Sequence, residues 1–449
     1  MPDFFWRTQP VQLRLSFSES PYHTTTDNEE RLQQLLTLDF NFHGQNSTYA
    51  SHALHAFPAK FPPQLPAQFI QALTEPGERV LDPMMGSGTT LLEAQIAGRQ
   101  PFGCDIDPLA ARITQSKLST PNLQKCADWT ERVIAQAQQR MQNLSALQTG
   151  LEASFDAKSL EFIYYWFDDQ TRLELFALKQ EIDQISDDAL RRFFMIIFSA
   201  IIITKSGGVS RALDLAHTRP HRSQEKTRRP VFAEFRKRIK QTLRSWTVPA
   251  NALPGLLARG NAQAIPLPNN SIDLIVTSPP YASNAIDYMR ANKFSLVWMG
   301  YSISELSKLR STYIGGEAAQ KTYLSHLPPY TAQIVQALTE KDARKGRTLA
   351  RYYSEMQQAL REMYRVLKPD KCAIVVVGTS IIREIDVETP RCLAEIGQQV
   401  GLRCVGIAER QLDRDKRMMP ARFGKEPRSQ IEQRMHSEHI LGFIKPEAL

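Results

Sequence analysis

Short apolar runs alternate with helical stretches in two parts of the chain, and this alternation is the feature that most limits the fold. The segment RVLDP (79–83) has the pattern of a buried strand, and a helical stretch that begins at Thr89 follows it across a glycine turn. PFGCDI (101–106) is a second such run, and another helical stretch follows it. Strands that alternate with helices pair in parallel, because each helix carries the chain back to the starting edge of the sheet. The sequence therefore predicts an α/β protein with a doubly wound, mostly parallel sheet.

A long interruption of this alternation divides the chain. The alternation stops after residue 117 and resumes near residue 255, and the residues between have an almost entirely helical pattern. The two alternating parts together predict seven strands, so we expect one sheet domain that a helical insertion interrupts. The predicted divisions are an N-terminal extension at 1–50, the first part of the sheet domain at 51–117, the helical insertion at 118–250, and the second part at 251–449, with a further insertion near 301–350.

Positive charge is concentrated in one segment of the predicted helical insertion. The whole chain has a net charge of +8, and the segment from Arg211 to Arg244 has eleven Lys or Arg against three Asp or Glu. This basic tract therefore has a surplus as large as that of the whole protein. Two interpretations stay open on composition alone, namely a solvated helical face and a surface that binds a polyanion.

The sequence pattern predicts neither a membrane protein nor a disulfide-stabilised one. The longest apolar run, FFMIIFSAIIIT (193–204), is shorter than the ~20 residues that a membrane span needs, and it therefore predicts a buried helix. The first residues lack the pattern of a signal peptide. The five cysteines form no C-x-x-C pair and no metal-ligand spacing. We expect a cytoplasmic protein without membrane association or a metal site, in which the cysteines are small core residues.

The turn after the first predicted strand combines two glycines with an acid. In VLDPMMGSGTTLLEA, Gly86 and Gly88 allow the backbone to adopt positive φ and to approach a ligand closely. Asp82 ends its strand where parallel sheets bind ligands, and Asp105 ends the next strand in position to bond a ribose diol. The acids, with no lysine after the glycines, favour a cationic nucleoside such as S-adenosylmethionine over a phosphate. The alternatives are a plain turn with Asp82 as a helix cap, and Asp107 as the ribose ligand.

A rigid corner, Ser278-Pro279-Pro280-Tyr281, ends the apolar run that begins at Ile272. Each proline fixes φ and lacks an N–H group, so the chain cannot continue as a strand or turn easily into a helix. This proline corner presents a hydroxyl and a carbonyl oxygen beside an aromatic ring. A purely structural proline turn is the alternative.

Together these segments resemble a known family. DPMMGSGTT followed by TSPPY is similar to the S-adenosylmethionine-dependent DNA methyltransferases that modify exocyclic amino groups. HAFPAKFPPQLPAQFI, GNAQAIPLPNNSIDLIVTSPPY and YRVLKPDKCAIVVVG extend the resemblance over roughly 51–117 and 255–445. Ser-Pro-Pro-Tyr is typical of the N4-cytosine enzymes, whereas Asp or Asn in the first position is typical of the N6-adenine enzymes.

The resemblance implies a role for each motif. The Ser278 hydroxyl and the Pro279 carbonyl would accept hydrogen bonds from the target amino group, with the prolines keeping the carbonyl aimed. The Tyr281 ring would stack on a base that has left the duplex. Asp287 and Tyr288 would either shape the pocket or begin a helix. The implied cofactor-binding residues are Lys60, Asp82, Pro83, Gly86, Ser87, Gly88, Thr89, Asp105 and Asn261, the last of which stands where the family often has an acid.

Double-stranded DNA is the partner that the resemblance implies, in restriction–modification or epigenetic marking. A cognate restriction endonuclease and the oligomeric state stay open. An N6-adenine methyltransferase and a non-catalytic nucleic-acid-binding protein are the alternatives, whereas a C5-cytosine enzyme is disfavoured because the chain has no Pro-Cys nucleophile. The helical insertion would contribute most DNA contacts, and the residues expected to touch mainly phosphate are Arg228, Arg229, Arg236, Lys237, Arg238 and Lys240.

Overall fold

Eleven strands and fifteen helices occur in the described residues of the computed structural model. These residues are 27–58, 60–119, 121–204, 207–213, 220–246, 252–282, 287–315, 326–412 and 437–447. The strands are β1 (Arg79–Asp82), β2 (Gln100–Asp105), β3 (Ala212–Leu213), β4 (His221–Arg222), β5 (Leu256–Arg259), β6 (Ile272–Thr277), β7 (Leu367–Gly378), β8 (Ile381–Ile382), β9 (Ile385–Asp386), β10 (Arg403–Gln411) and β11 (Ser437–Ile444). The helices are α1 (Asn28–Leu35), α2 (Gln64–Leu73), α3 (Thr89–Ile96), α4 (Pro108–Leu118), α5 (Leu123–Arg140), α6 (Leu144–Ser154), α7 (Ala157–Trp166), α8 (Asp169–Asp183), α9 (Asp188–Ile202), α10 (Val231–Ser245), α11 (Tyr288–Leu296), α12 (Ile303–Arg310), α13 (Pro329–Lys341), α14 (Ala343–Val366) and α15 (Thr389–Gln399).

Seven of these strands form one sheet, in the order β10-β11-β7-β6-β1-β2-β5. The neighbours from β7 to β5 all pair in parallel, and β11 pairs antiparallel with both β7 and β10. The predicted α/β class, with a doubly wound and mostly parallel seven-stranded sheet, is confirmed. The chain leaves β1 toward β2 on one side and later returns to β6 on the other side. A crevice therefore opens at the carboxyl ends of β1, β2 and β6, where sheets of this kind bind ligands.

Helices cover both faces of the sheet, which explains why its central strands are almost continuously apolar. All six residues of β6 are buried. On one face, α14 and α15 pack against β6 and β7 through a core that includes Tyr352, Met356 and Phe443. On the other face, α1 and α2 pack against β1, β6 and β7 through Leu32 and Phe69, among other residues.

The N-terminal segment differs from the prediction of an extension over 1–50. Within its described part, α1 packs on the sheet, and Leu32 and Leu35 are 0% and 1% exposed. Phe40 stacks on Phe69 of α2 at a centroid distance of 5.4 Å. The two leucines are three residues apart, which places them on one face of a short helix that is otherwise polar. Because α1 has so few apolar residues, its sequence shows no clear helical periodicity and does not predict the helix.

Helices α5 to α10 lie within the segment 118–250, and their core is continuous with α4 and α11. The apolar run at 193–204 lies largely in α9, whose residues from Phe193 to Ile202 are all buried. A helix that is apolar on every side needs neighbours on every side, and α4, α8, α10 and α11 surround this one. Among the described residues, no helix has the length and apolar character needed to cross a membrane.

The second insertion, predicted near 301–350, contains α12, α13 and the first turns of α14. Helix α14 is continuous from Ala343 to Val366, so the predicted boundary at residue 350 falls inside it. The helix packs against α13 where Gly346 faces Thr339, since a Cβ at Gly346 would lie 2.1 Å from the threonine Oγ1. The close approach joins the insertion to a helix that covers the sheet.

Candidate active site

An open cavity lies at the carboxyl ends of β1, β2, β5 and β6. The carboxyl ends of parallel strands meet at one edge of the sheet, so motifs far apart in sequence come together there. From the predicted proline corner, Ser278 and Pro280 line the cavity. Of the predicted cofactor-binding residues, the cavity is lined by Lys60, Asp82, Pro83, Gly86, Ser87, Thr89, Asp105 and Asn261.

Gly88 does not line the cavity but shapes the turn that does. It precedes α3 in the left-handed conformation, with φ of 74°. A Cβ at this position would lie 2.6 Å from Cγ2 of Thr114 on α4. The same threonine donates a hydrogen bond from Oγ1 to the Gly86 carbonyl oxygen at 3.0 Å. Thr114 therefore stabilises the glycine turn, and a side chain at position 88 would displace Thr114.

Asp105 connects the end of β2 to the glycine turn. Its Oδ2 accepts a hydrogen bond from the Gly86 N–H at 2.8 Å, and its Oδ1 accepts one from the Asp107 N–H at 2.8 Å. Burial raises the pKa of the Asp105 carboxyl to about 7, and the nearby Asp107 carboxylate adds to the rise. Asp105 is thus both a ligand candidate and a support for the turn.

Asp107, the alternative ribose ligand, also lines the cavity but makes several bonds within the protein. Its Oδ1 caps α4 by accepting from two backbone N–H groups of the first turn. Its Oδ2 accepts from Asn292 Nδ2 at 2.8 Å and from the Tyr313 hydroxyl at 2.7 Å. Through these bonds, Asp107 connects α4, α11 and the segment after α12.

Asp82 couples the glycine turn to the proline corner. Its Oδ1 accepts hydrogen bonds from Thr277 Oγ1 at 2.7 Å and from the Met84 N–H at 3.1 Å. Thr277 immediately precedes Ser278, so one carboxylate holds both motifs in register across adjacent strands. Burial raises the pKa of the Asp82 carboxyl to about 6, and the hydrogen bonds oppose that rise.

Two further polar groups face the cavity in different ways. The Ser87 hydroxyl is buried and has no hydrogen-bond partner within the described residues. Such a group costs free energy unless a ligand completes its bonding. Lys60 is exposed, and its Nζ donates to the carbonyl oxygen of His52 at 3.1 Å. The site therefore has one polar group without a partner among the described residues and one cation at its rim.

Tyr281 is not where the sequence predicts it. The side chain is 8% exposed, belongs to the core between the sheet and α14, and does not line the cavity. Its hydroxyl donates to Oε1 of Glu438 at 2.7 Å, and Glu438 in turn pairs with Arg410 Nε at 2.7 Å. Burial and the Glu438 charge raise the Tyr281 pKa far above its usual range, whereas a hydrogen bond with Ser278 opposes the rise.

This placement corrects the expectation of a ring exposed for stacking on a base. The reason is that β10 and β11 bring a buried ion pair to the proline corner, and its carboxylate takes the phenol hydroxyl. Pro279 is likewise buried and does not line the cavity. The corner thus presents Ser278 and Pro280 to the cavity and turns Tyr281 inward.

Aromatic rings complete the wall of the cavity. Phe57 and Tyr288 line it and stack with centroids 5.2 Å apart and planes 22° apart. Tyr288 therefore shapes the pocket, while the Asp287 carboxylate pairs with Arg290 at 2.8 Å and Arg310 at 2.6 Å. Sequence reasoning missed Phe57, although it lies in the segment 55–70 that carries part of the resemblance. It also missed Tyr313, which lines the cavity from the second insertion.

Several cations of the basic tract form bonds within the protein. Arg236 forms a bidentate pair with Glu131, with Nε–Oε1 and Nη2–Oε2 distances of 2.8 Å. Arg228 pairs with Glu174, and Arg238 donates to two backbone carbonyl oxygens at 2.6 and 2.8 Å. Lys237 is exposed, and Arg229 and Lys240 are partly exposed. None of these cations lines the cavity.

Other types of site are not supported by the residues that the structure describes. The five cysteines all lie within the described ranges, four of them buried and Cys404 half-buried, and none lines the cavity. Within those ranges, no group of three His, Cys, Asp or Glu side chains could hold a metal ion.

Comparison with known proteins gives matches to a protein family, to curated relatives and to solved structures. A family model described as DNA methylase, covering N6 and N4 enzymes, matches residues 8–116 and 272–419. The Type II methyltransferase M.MvaI of Kocuria varians is 24% identical over 382 residues, covering 79% of this chain and 82% of that protein. The Type II methyltransferase M.BsoBI of Geobacillus stearothermophilus is 23% identical over 273 residues, covering 57% and 53%. Among solved structures, a TehB-like S-adenosylmethionine-dependent methyltransferase from Corynebacterium glutamicum aligns with 11% identity and a TM-score of 0.28, covering 85% of this chain and 86% of that one.

Proposed function

The chain belongs to the N6/N4 DNA methylase family, and on this premise we propose that it methylates the N4 amino group of cytosine in double-stranded DNA. The observation that supports cytosine is Ser278, which lines the cavity at the position where the N6-adenine enzymes typically have Asp or Asn. A role in restriction–modification, in the cytoplasm and with a cognate endonuclease as partner, is part of the same proposal. It is supported by the relatives, which are Type II methyltransferases.

S-adenosylmethionine is the cofactor, and it supplies an activated methyl group. The residues of the cavity fit it on three counts. Asp82 and Asp105 provide negative charge for a sulfonium and an ammonium group, and Asp105 lies at the end of β2 where a ribose diol can reach it. The Ser87 hydroxyl is a buried group without a partner among the described residues. Asn261 can meet an adenine amino group through its side-chain carbonyl oxygen.

Ser278 is the group that we assign to the target amino group. An exocyclic amino nitrogen is a poor nucleophile because its lone pair is delocalised into the ring. An acceptor that binds its N–H helps to localise that lone pair, and an acceptor already in position does so without reorganisation. Tyr281 bonds to Ser278, and its own proton goes to Glu438. The Ser278 proton can therefore point to the Tyr281 oxygen, which leaves the serine lone pairs for the substrate.

Replacing Tyr281 with phenylalanine should distinguish two accounts of this residue. The variant keeps the ring but removes the hydroxyl that orients Ser278, so we expect turnover to fall about tenfold, the loss of roughly one hydrogen bond. Cofactor affinity measured by calorimetry should not change. A ring whose only role is to stack on the base would keep full turnover in this variant. Glu438→Gln, which keeps an acceptor for the phenol, should reduce turnover less.

Methyl transfer in this proposal proceeds directly, without a covalent bond between enzyme and base. No cysteine lines the cavity, and burial raises the pKa of Cys104 to about 12, which opposes thiolate formation. The test is methylation of mixed-sequence DNA by the purified protein, followed by nucleoside mass spectrometry. N4-methylcytosine is the expected product. N6-methyladenine as the sole product would contradict the base assignment and support the adenine alternative.

Cofactor affinity is expected to rise as the pH increases from about 5 to about 8. Burial raises the pKa of Asp105 to about 7 and that of Asp82 to about 6, so both are largely protonated in the free protein at the lower pH. The cationic cofactor favours the ionised carboxylates, and its binding at low pH must therefore release protons. Calorimetry in two buffers of different ionisation enthalpy measures this release. Affinity that is constant or falls with pH would contradict the assignment of the two acids.

The DNA-facing role of the basic tract is also a proposal, and its ion pairs provide a matched control. We expect replacement of Arg229 and Lys237 by glutamine to reduce the log–log salt slope of DNA binding by about 0.9 for each phosphate that is no longer neutralised. Replacing Arg228 and Arg236 removes the same formal charge, but each of these is already paired with a glutamate, so the slope should change less. The slopes are measured with a non-specific duplex over a range of salt. An unchanged salt slope in the variant that lacks Arg229 and Lys237 would indicate that the basic tract is only a solvated face.

A further inference from the structure

A second surface of the insertion combines exposed apolar side chains with an arginine. Tyr165, at the end of α7, is 49% exposed, and Leu213 on β3 is 40% exposed. The Arg222 guanidinium of β4 lies over the Tyr165 ring, 4.5 Å from its centroid. His221, beside Arg222, is also exposed. Side chains alternate between the two faces of a strand, so Arg222 lies on the face of Ala212, and His221 on the face of Leu213. We call Tyr165 and Arg222 the hairpin patch. Tyrosine and arginine are both enriched at binding surfaces, and here they are stacked on each other at an exposed position.

The hairpin patch is held in place by backbone and side-chain bonds. In the β3–β4 hairpin, Leu213 pairs with His221 and Ala212 pairs with Arg222. The Arg211 N–H donates to the Trp166 carbonyl oxygen at 2.7 Å, which joins the hairpin to α7. Lys226 Nζ donates to the carbonyl oxygens of Ser210 and Ala212 at 2.6 and 2.8 Å. The guanidinium is therefore presented by a supported element with a defined orientation.

Two chains of contacts connect the hairpin patch to the cavity wall. On α7, Phe162 packs edge-on against Phe294 of α11 at 5.0 Å. Tyr288, which lines the cavity, begins α11 and is about 9 Å along the helix from Phe294 at 1.5 Å per residue. In the second chain, Ser199 near the end of α9 bonds to His55 Nε2 at 2.8 Å, two residues before Phe57. The β3–β4 hairpin follows α9 in sequence. Both series of contacts, through α7 and through α9, therefore lead from the cavity to the hairpin patch.

The charge around the hairpin patch suits a polyanion. Its flanking described segments, 207–213 and 220–230, contain five Lys or Arg and one Glu. Of these cations, Arg228 pairs with Glu174 and Lys226 bonds to backbone carbonyl oxygens, while Arg222 is the one stacked on Tyr165. An arginine stacked on an aromatic ring keeps its fork of donors in a fixed plane, which matches the paired acceptors of a guanine edge.

We propose that the hairpin patch contacts the base edges of the duplex beside the target base and selects the methylated sequence. The inference rests on the proposed function, because it needs a DNA substrate whose target base occupies the cavity. It assigns sequence selection to Arg222 and Tyr165. Contacts between the α10 cations and phosphate would then position the duplex without selecting its sequence.

The test compares Arg222→Ala and Tyr165→Ala with Arg132→Ala, which removes an arginine that stacks on Trp129 at 4.7 Å on helix α5. Mixed-sequence duplex DNA is methylated by each protein and mapped by modification-sensitive sequencing. The preferred duplex is then used for affinity measurements against an unrelated duplex. In the two patch variants, we expect the ratio of the affinities for the preferred and the unrelated duplex to fall by about tenfold or more. We also expect extra sites to be methylated. Arg132→Ala should keep the wild-type site profile.

Several outcomes would overturn the inference. An unchanged site profile and specificity ratio in both patch variants would show that the hairpin patch does not read sequence. An equal loss of affinity for every duplex would assign it to phosphate binding only. A concentration-dependent dimer in sedimentation that Tyr165→Ala abolishes would assign it to a second copy of the chain. Calorimetry with S-adenosylmethionine and wild-type product analysis test the proposed function separately, and Arg222→Lys checks that any loss comes from the planar fork rather than from misfolding.

Discussion

Replacing Ser278 with alanine is expected to lower the rate of methyl transfer about 100-fold and to leave cofactor affinity unchanged, since a preorganised polar group at a reacting centre contributes on this scale. Ser278 lines the cavity, and we infer that its hydrogen bond with Tyr281 orients the hydroxyl. Alanine removes the acceptor for the target amino group and leaves Asp82 and the glycine turn intact. Single-turnover methylation of a preferred duplex measures the rate, and calorimetry measures cofactor binding.

Two further variants make this result specific. Ser278→Asp keeps an acceptor at the same place and is expected to retain more activity than alanine does. Ser307→Ala removes a serine on α12 whose hydroxyl bonds locally, to the Ile303 carbonyl oxygen at 2.9 Å, and should keep the wild-type rate. Full turnover in Ser278→Ala would show that this serine takes no part in the reaction. The prolines would then be the functional part of the proline corner.

Replacing Asp105 with asparagine is expected to weaken S-adenosylmethionine binding roughly 10- to 150-fold, the range for a lost hydrogen bond to a charged group. Both Asp105 oxygens accept backbone N–H bonds, at 2.8 Å each. An asparagine therefore turns its own N–H group toward one of these donors and disturbs the glycine turn. It also removes the charge that a cationic ligand would meet. Calorimetry at about pH 8, where the carboxyl is ionised, gives the largest expected difference.

The control for this variant is Asp39→Asn. Asp39 accepts a backbone N–H bond from Asn41 at 2.9 Å in an exposed turn, so the same chemical change occurs at a residue that does not line the cavity. Its cofactor affinity should equal that of the wild type. Wild-type affinity in Asp105→Asn would instead move the nucleoside contact to another residue, and Asp107 is the neighbouring acid in the cavity wall.

Both variants probe a site in which one residue links its two halves. Asp82 ends β1, and Thr277 ends β6, its parallel neighbour. The bond between them sets the glycine turn relative to the proline corner. We infer that a cofactor held by the turn and a base held at the corner meet in a geometry that the sheet itself defines.

Several features followed from the sequence because they depend on local chemistry and on a general rule of sheet topology. The strand–helix alternation predicted the parallel sheet, and β1, β2 and β6 lie where their apolar runs predict. Gly86 and Gly88 occupy positive φ as the turn requires. Asp82, Asp105 and Ser278 each end or follow a strand, and parallel strands place such residues at one edge. Proximity at the cavity was therefore predictable without knowledge of side-chain contacts.

Other features were decided only by the tertiary structure, because they depend on partners far away along the chain. Tyr281 turns inward since Glu438, 157 residues later, takes its hydroxyl. Arg236 pairs with Glu131, 105 residues earlier, so a run of cations in sequence is not a uniform cationic surface. A residue type and its spacing specify what a side chain is able to bond. Which partner it bonds depends on which elements pack beside it, and that is set by the folding of the whole chain.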